Sequence, residues 1–375
     1  MLTVPATIGL LVIVLATVYA GLLGYLWRAW RQLPAYSPAP PESEFPFLTV
    51  LVPARNEADL IEACLQSLLR QDYSNFEVIV IDDHSEDHTV ARVRAFRDPR
   101  LRLLKLADYL PAGRPIVAYK KAALELGIRH ARGDYLVMTD ADCVAPATWL
   151  THLTKPLADG AAWVSAPVRI AEARGWLGTL QALDVAGTMI LTGASFQLGR
   201  PLLANGANLL IKRTLFEAVD GYTGNAHRAS GDDVFLLQKV VKQYTREMAF
   251  VRNQEATVAT SAVSGWGNFL RQRLRWATKS SDYRDPYLLG FQGLVFLLDA
   301  ALLITPFLTP LAWLAWLIKA GADYGFLRRA ARSFQLLIDW RWFPVLDILH
   351  TTYVVLIGLL AFLPVRIRWK GRSSR

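Results

Sequence analysis

Apolar residues are unevenly spread along this chain. They form uninterrupted runs at its two ends and short periodic runs between them. Leu2 to Trp27 carries no charged side chain, which is enough to cross a bilayer as one helix. A cleaved signal peptide would place a basic residue ahead of such a run. Here Arg28 and Arg31 follow it instead, favouring a retained anchor whose far end is cytosolic. Pro34 to Pro46 is proline-rich and aperiodic, a linker. Strand and helix signals then alternate. Leu48 to Val52, Phe76 to Ile81 and Tyr135 to Thr139 are continuous apolar runs of strand length, with a shorter one at Leu101 to Leu104. Helical spacing runs through Ala58 to Leu69, through Val90, Val93 and Phe96, and through Val117 to His130. This alternation predicts right-handed crossovers and a mainly parallel sheet, with ligands beyond the strands' C-terminal ends.

Further on, Ala161 to Ile170 reads as another strand, and Trp176 to Phe196 as an amphipathic stretch lying on the membrane or the sheet. Ala204 to Ile211, with Asn205-Gly206-Ala207-Asn208, precedes a helix start. Ser230 would N-cap a helix over Val234 to Val241, with Asp232 and Asp233 in its favourable first turn. In the tail, Leu288 to Ile318 is too long for one untilted span and is interrupted by Pro306 and Pro310, giving either a helical hairpin or one broken helix. Phe343 to Leu363 is another span, containing Asp347 and His350. Between them Arg328, Arg329 and Arg332, with Phe334, Leu336 and Leu337, predict an interfacial helix. A hairpin keeps 319–342 cytosolic and sends the basic C-terminus outside; a broken span does the reverse. The arginines favour the hairpin. The expected organisation is an anchor at 1–31, a linker at 32–47, a cytosolic α/β domain with interfacial helices at 48–287, and a membrane region at 288–375 with two or three spans plus an interfacial helix.

Composition agrees with a soluble middle between membrane segments. Of 375 residues 53% are apolar, high for a wholly soluble protein, and the excess sits at the ends. The net charge of +9 is bunched beside the apolar runs (Arg28, Arg31; Arg366, Arg368, Lys370, Arg372), pointing to anionic headgroups rather than nucleic acid. No aromatic-basic nucleic-acid motif occurs. Cys64 and Cys143 give no disulfide framework and fit a reducing compartment.

Three strand ends carry the dense polar clusters: Pro53-Ala54-Arg55-Asn56-Glu57, Asp82-Asp83-His84-Ser85 and Asp140-Ala141-Asp142. If the chain is still extended at the last of these, Asp140 and Asp142 project to one side and offer two hard oxygen ligands to Mg²⁺ or Mn²⁺. Taken alone, Asp-Ala-Asp reads better as a solvated turn. Likewise, Arg55 to Glu57 would cap the next helix, Asp232 and Asp233 would serve a helix dipole, and Gln272 to Trp276 would form a surface helix with a Trp anchor. His84, His88, His130 and His227 lack ligand spacing and read as surface residues.

The ordered set of clusters resembles glycosyltransferase family 2, the inverting transferases of the GT-A fold that include the cellulose, hyaluronan and ceramide-glucoside synthases. It runs from Val50 to Trp276 through Val52-Pro53-Ala54-Arg55-Asn56-Glu57, Asp82-Asp83-His84-Ser85-Glu86-Asp87, Lys120 with Ala123-Leu124, Asp140-Ala141-Asp142, Gly231-Asp232-Asp233 and Gln272-x-x-Arg275-Trp276. The resemblance implies an α/β GT-A domain, Rossmann-like, whose mixed and mainly parallel sheet is flanked by helices. Pro53 and Ala54 would floor a nucleotide pocket, and Glu57, Asp82 and Asp83 would accept hydrogen bonds from base and ribose. Lys120, or Lys121 if the register slips, would offset diphosphate charge. Asp140 and Asp142 would hold Mg²⁺ or Mn²⁺, Asp142 more directly. Asp233 would be the general base, with Asp232 as alternative because it stands where the family usually has Glu. Gln272, Arg275 and Trp276 would close over diphosphate and acceptor.

These readings imply a multi-pass protein of the cell (inner or plasma) membrane with a cytosolic catalytic domain. It would transfer a sugar from a nucleotide-diphosphate donor, a UDP-sugar, to a lipid or lipid-linked acceptor. The alternatives are a processive polysaccharide synthase, for which three or four spans are few, and a catalytically inactive nucleotide-sugar-binding subunit, against which the intact carboxylates count. A transporter is disfavoured because the polar clusters avoid the spans.

Overall fold

A computed structural model describes residues 3–36, 46–110, 118–224, 231–278, 283, 285–363, 367–369 and 372–374. Most of the linker, Val117, His227, Ser230 and part of the basic C-terminus lie outside the described residues. The chain begins with α1 (Val4–Arg31), then β1 (Leu48–Ala54), α2 (Ile61–Leu69), β2 (Phe76–Asp82), α3 (Thr89–Ala95), β3 (Leu101–Lys105) and α4 (Tyr119–His130). Next come β4 (Tyr135–Met138), β5 (Cys143–Val144), α5 (Trp149–Thr154), β6 (Trp163–Ser165), β7 (Val168–Ile170), α6 (Gly175–Gln197), β8 (Leu209–Lys212) and α7 (Arg213–Ala218). The remaining elements are α8 (Asp232–Tyr244), β9 (Met248–Phe250), β10 (Val258–Thr260), α9 (Trp266–Ala277), α10 (Pro286–Ile304), α11 (Leu311–Ser333) and α12 (Phe343–Ala361). They divide into a helical unit, drawn from 1–31, 172–194 and 262–367, and an α/β unit made mainly from 32–171 and 195–261.

The α/β unit is built on a seven-stranded sheet ordered β3-β2-β1-β4-β8-β6-β9. The first four strands are parallel, β8 is antiparallel to β4 and β6, and β6 is parallel to β9. All seven residues of β2 are buried, so its sequence cannot alternate and reads as a continuous apolar run. Two carboxylates interrupt it, Glu77 near its start and Asp82 at its end, and the charge of Glu77 is matched. Its carboxylate accepts from Thr49 Oγ1 (3.0 Å), Arg132 N (2.8 Å) and Arg132 Nε (3.0 Å), with Arg102 Nη1 at 3.3 Å. Beside this network Gly133 admits no side chain, since a Cβ there would lie 2.6 Å from Thr49 N and 2.7 Å from Phe47 O. Leu51, Ile79, Leu136 and Ile211 form a core with Leu124 and Ile128 of α4 and Leu237 of α8.

Three expectations need correction here. Ala161 to Ile170 is two strands, split at Ala166-Pro167 and assigned to different sheets. Proline donates no ladder hydrogen bond, and Ala166 is biased by the proline after it. The Asn205–Asn208 turn leads into the antiparallel strand β8 before any helix begins. At the start of α8 the N-cap is Gly231, in the left-handed region at φ 84°, with no side-chain capping bond.

The helical unit holds three helices long and apolar enough to cross a membrane: Val4–Arg31, Pro286–Phe307 and Trp340–Ala361. The chain folds back across Pro306 and Pro310, because Trp316 Nε1 donates to Leu302 O at 2.8 Å. The chain thus turns back between α10 and α11, and α11 is not among the three helices apolar enough to span. That helix runs unbroken through the segment expected to be a separate interfacial helix. Lys319, 2% exposed, donates to Thr351 Oγ1 (2.8 Å) and Asp347 Oδ1 (3.0 Å). It also pairs with Asp323 at 2.9 Å and Asp299 at 3.6 Å, and Tyr19 donates to Asp323 Oδ1 at 2.6 Å. Of the charges on α11, Lys319 and Asp323 are thus matched inside the unit, while Arg328, Arg329 and Arg332 are exposed.

Candidate active site

Parallel register brings the first two polar clusters side by side. Pro53 pairs with Ile81 and Ala54 with Asp82, and the Asp83 amide donates to Ala54 O at 2.8 Å. β4 ends next to them, where Thr139 N donates to Leu51 O at 3.2 Å. The C-terminal ends of β1, β2 and β4 thus meet at one edge of the sheet, where open α/β sheets take their ligands.

At this edge Ala54, Asp82 and Asp83 are buried, and Pro53 and Glu57 half-buried. Arg55 ties the two loops, its Nη1 donating to Asp83 O and His84 O, both at 2.9 Å. It does not cap α2. Glu57 leads into α2 by accepting Ile61 N at its carbonyl (2.9 Å). Asp82 accepts the Ser85 amide at 3.3 Å, closing the loop after β2. His84, in the left-handed region at φ 56°, sets its Nδ1 3.0 Å from Asp83 Oδ1, and its ring meets Tyr119 edge-on at 5.6 Å. Sequence spacing missed His84 because its partners come from another loop and another helix.

A second group surrounds Lys120. Its Nζ donates to Asp140 Oδ1 at 2.7 Å and lies 3.5 Å from Asp232 Oδ2. Burial works against the ammonium. Asp140, Asp232 and Asp233 outweigh it and hold the Lys120 pKa well above the ordinary lysine range. Lys121 instead is buried, its Nζ 5.6 Å over the Phe235 ring, so Lys120 is the lysine that meets the carboxylates. Asp233 is held by backbone amides: Gly206 N donates to Oδ2 at 3.1 Å and Val234 N to Oδ1 at 2.8 Å. Gly206 was not singled out from sequence as a contact of Asp233; its place in the loop before β8 was the available signal.

Contrary to expectation, Asp140 and Asp142 do not project from an extended strand. The chain turns after Met138, with Cys143 N donating to Asp140 O at 3.1 Å. The turn still keeps the two carboxylates close. Burial first, and then the Asp140 charge, raise the Asp142 pKa, while hydrogen bonds from Cys143 Sγ (3.5 Å) and Thr260 Oγ1 (3.2 Å) oppose the rise. Among the described residues no group of three or more His, Cys, Asp and Glu side chains is arranged to hold a metal. Two adjacent carboxylates, one raised by the other's charge, still match a hard dication that takes its other ligands from water and phosphate. Gln272, Arg275 and Trp276 lie on α9, in the helical unit; Gln272 and Arg275 are half-buried there and Trp276 is 38% exposed.

Comparison with known proteins gives the family of the chain. A family profile described as Glycosyl transferase family 2 matches residues 49–199, and one described as Glycosyl transferase family group 2 matches residues 135–365, more than half of the chain. An N-acetylglucosaminyltransferase of Mesorhizobium japonicum is 28% identical over 275 residues, 70% of this chain and 62% of that protein. The chain therefore spans less than two thirds of that relative's length. An Escherichia coli UDP-Glc:alpha-D-GlcNAc-diphosphoundecaprenol beta-1,3-glucosyltransferase is 30% identical over 95 residues, 25% of this chain and 34% of that protein. A mannosyltransferase of Pyrobaculum calidifontis, solved with GDP-Man and Mn²⁺, superposes with a TM-score of 0.58 at 24% identity, over 94% of this chain and 98% of that one. At that identity the likeness is one of fold, the GT-A α/β fold with a mostly parallel central sheet. With the second profile covering most of its length, the chain belongs to glycosyltransferase family 2.

Proposed function

We propose that this protein is a membrane-seated inverting glycosyltransferase. It moves one sugar from a UDP-sugar to a lipid or lipid-linked acceptor at the cytosolic face of the cell membrane. The observation that carries this reading is the Lys120–Asp140–Asp232 contact, set beyond the end of β4 with Asp233 and Asp142 beside it. A cation among carboxylates at that edge suits a diphosphate on one side and a proton-accepting group on the other. Three apolar helices and the lipid-linked substrate in the name of the Escherichia coli relative support the acceptor class.

In this reading Pro53 and Ala54 floor the nucleoside pocket. Glu57, Asp82 and Asp83 accept from ring imide and ribose hydroxyls. Lys120 releases Asp140 on donor binding and turns to the diphosphate. Asp140 and Asp142 would hold Mg²⁺ or Mn²⁺, which when bound supplies positive charge to the leaving diphosphate. Asp233 takes the proton from the acceptor hydroxyl as that oxygen bonds to the anomeric carbon. The bond from that carbon to the diphosphate oxygen breaks on the opposite face, and its electron pair leaves with the nucleoside diphosphate. The aim of Asp233 is fixed by two amides, whereas Asp232 is engaged by Lys120; this division supports Asp233 as the base. Gln272, Arg275 and Trp276 would close over donor and acceptor.

The test uses the full chain in lipid nanodiscs with a panel of UDP- and GDP-sugars, with and without Mn²⁺, and a lipid extract as acceptor. Release of nucleoside diphosphate matched by a lipid carrying a single sugar is expected. Absence of any nucleoside diphosphate release would overturn the reading, and a ladder of longer products would replace single transfer with processive synthesis.

A further inference from the structure

We infer that Asp184 is a positioning residue that fixes the rotation of α9, and with it the direction in which Gln272, Arg275 and Trp276 are presented; this rests on the function proposed above. The pair lies wholly within the helical unit. Asp184 Oδ2 meets Arg273 Nη1 at 2.6 Å, with the two side chains 16% and 8% exposed. The guanidinium is wedged between rings of its own helix, 4.4 Å from the Trp276 centroid and 5.0 Å from that of Phe269. Phe269 is fully buried and meets Tyr353 of α12 edge-on at 5.2 Å.

One turn before Asp184, Gln181 grips the chain that enters α9. Its Nε2 donates to Val263 O at 3.0 Å, and its Oε1 accepts Val263 N at 2.9 Å. α6 therefore holds α9 at two points, just before its first turn and two turns further on. One point would set position alone; two set rotation as well. At 3.6 residues per turn, Gln272, Arg275 and Trp276 fall within an arc of about 100°, so any rotation turns all three together.

The ion pair is a poor device for stability alone. Burying two charges costs desolvation that an apolar pair of the same volume avoids. Arg273 Nε is moreover buried with no hydrogen-bond partner among the described residues. Direction is what the pair supplies and an apolar contact lacks: the guanidinium is tethered through Nη1 to Asp184 Oδ2 while its plane stays against the Trp276 ring.

The test replaces both residues at once, Asp184→Leu with Arg273→Met, in the full chain in nanodiscs, alongside Arg273→Lys. Melting, donor KM and kcat for transfer are read from the same preparations. The double variant should melt at or above the wild-type temperature and keep its donor KM within about twofold. Its kcat should fall about 100-fold, the scale expected from a misplacement near 1 Å. Arg273→Lys should recover part of that loss, because it restores the charge but not the planar fork. A double variant that is stable and turns over like wild type would overturn the positioning role and leave the glycosyltransferase reading standing. A double variant that melts well below wild type would overturn it too, by making the pair a stability element. A wild-type chain with no sugar transfer would remove the reading on which the inference rests.

Discussion

Lys120 separates the structural account of the site from the functional one, because Lys120→Met should affect fold and donor binding to very different extents. The ammonium lies 2.7 Å from Asp140 Oδ1 and 3.5 Å from Asp232 Oδ2, and the Asp140 side chain is 35% exposed. With that much water present, the appropriate dielectric is near that of the solvent. The gross attractions are then about 1.5 kcal/mol at 2.7 Å and about 1.2 kcal/mol at 3.5 Å. The entropy of holding a long side chain in one place reduces the net to about 1 kcal/mol or less. The ligand-free variant should therefore melt only about 2–4 °C below wild type. Donor binding should suffer far more. Leaving a bound diphosphate without its cation costs about 2–5 kcal/mol, equivalent to a loss of about 30-fold to several-thousand-fold in affinity. Calorimetric titration with UDP and thermal melting, on the same preparations, measure the two terms. If UDP affinity is unchanged while the melting temperature collapses, Lys120 is a brace between carboxylates and its diphosphate role is refuted.

Other consequences follow from individual contacts. Asp233→Asn should leave donor binding intact and reduce transfer by about 10²–10⁴-fold, read by single-turnover kinetics; normal turnover in it, with the loss appearing in Asp232→Asn, would move the base to Asp232. Gly133→Ala should destabilise the α/β unit by about 1–3 kcal/mol or more, seen in melting, because its Cβ would press on backbone atoms of β1 that cannot yield. Asp184 gives a pH signature. Burial opposes its charge, yet Arg273 and His350 outweigh burial and hold its pKa at about 2, below the ordinary value of 3.8. A depressed folded-state pKa contributes stability that is complete above the unfolded value and lost as pH falls toward the folded one. The melting gap between wild type and Asp184→Asn should therefore shrink from about pH 4 down to pH 2; a gap that widens over that range would contradict it.

Much of this architecture was legible because its signals are local. β1, β2 and β4 are covered on both faces, so each appears as a bare apolar run, and the polar clusters after them mark the sheet edge. β8 was hidden. Its four residues sit directly between the Asn205–Asn208 turn and Arg213 at the start of α7, leaving no separate period to detect. α11 was misjudged for another reason. Hydropathy charges Lys319 and Asp323 at full cost, while the fold matches them with Asp299, Asp347 and Tyr19, residues up to 304 positions away. His84 is similar: with no ligand at a regular spacing it reads as surface, and although Asp83 is its chain neighbour, only the fold brings its ring to Tyr119. Alternation puts Asp140 and Asp142 on one side only where the backbone is extended, and the chain turns after Met138.

The central claim is that acidic side chains from three strand ends and the head of α8 serve one nucleotide-sugar site. The most direct test is the shift in melting temperature of the full chain on adding UDP and Mn²⁺ together, for wild type, Asp83→Ala and Asp142→Ala. Ligand at about 100 times its Kd should stabilise wild type by about 2.7 kcal/mol. The account predicts that each variant, folded without ligand, loses most of that gain. If both variants keep the wild-type shift, neither the nucleotide nor the metal is held where these carboxylates stand.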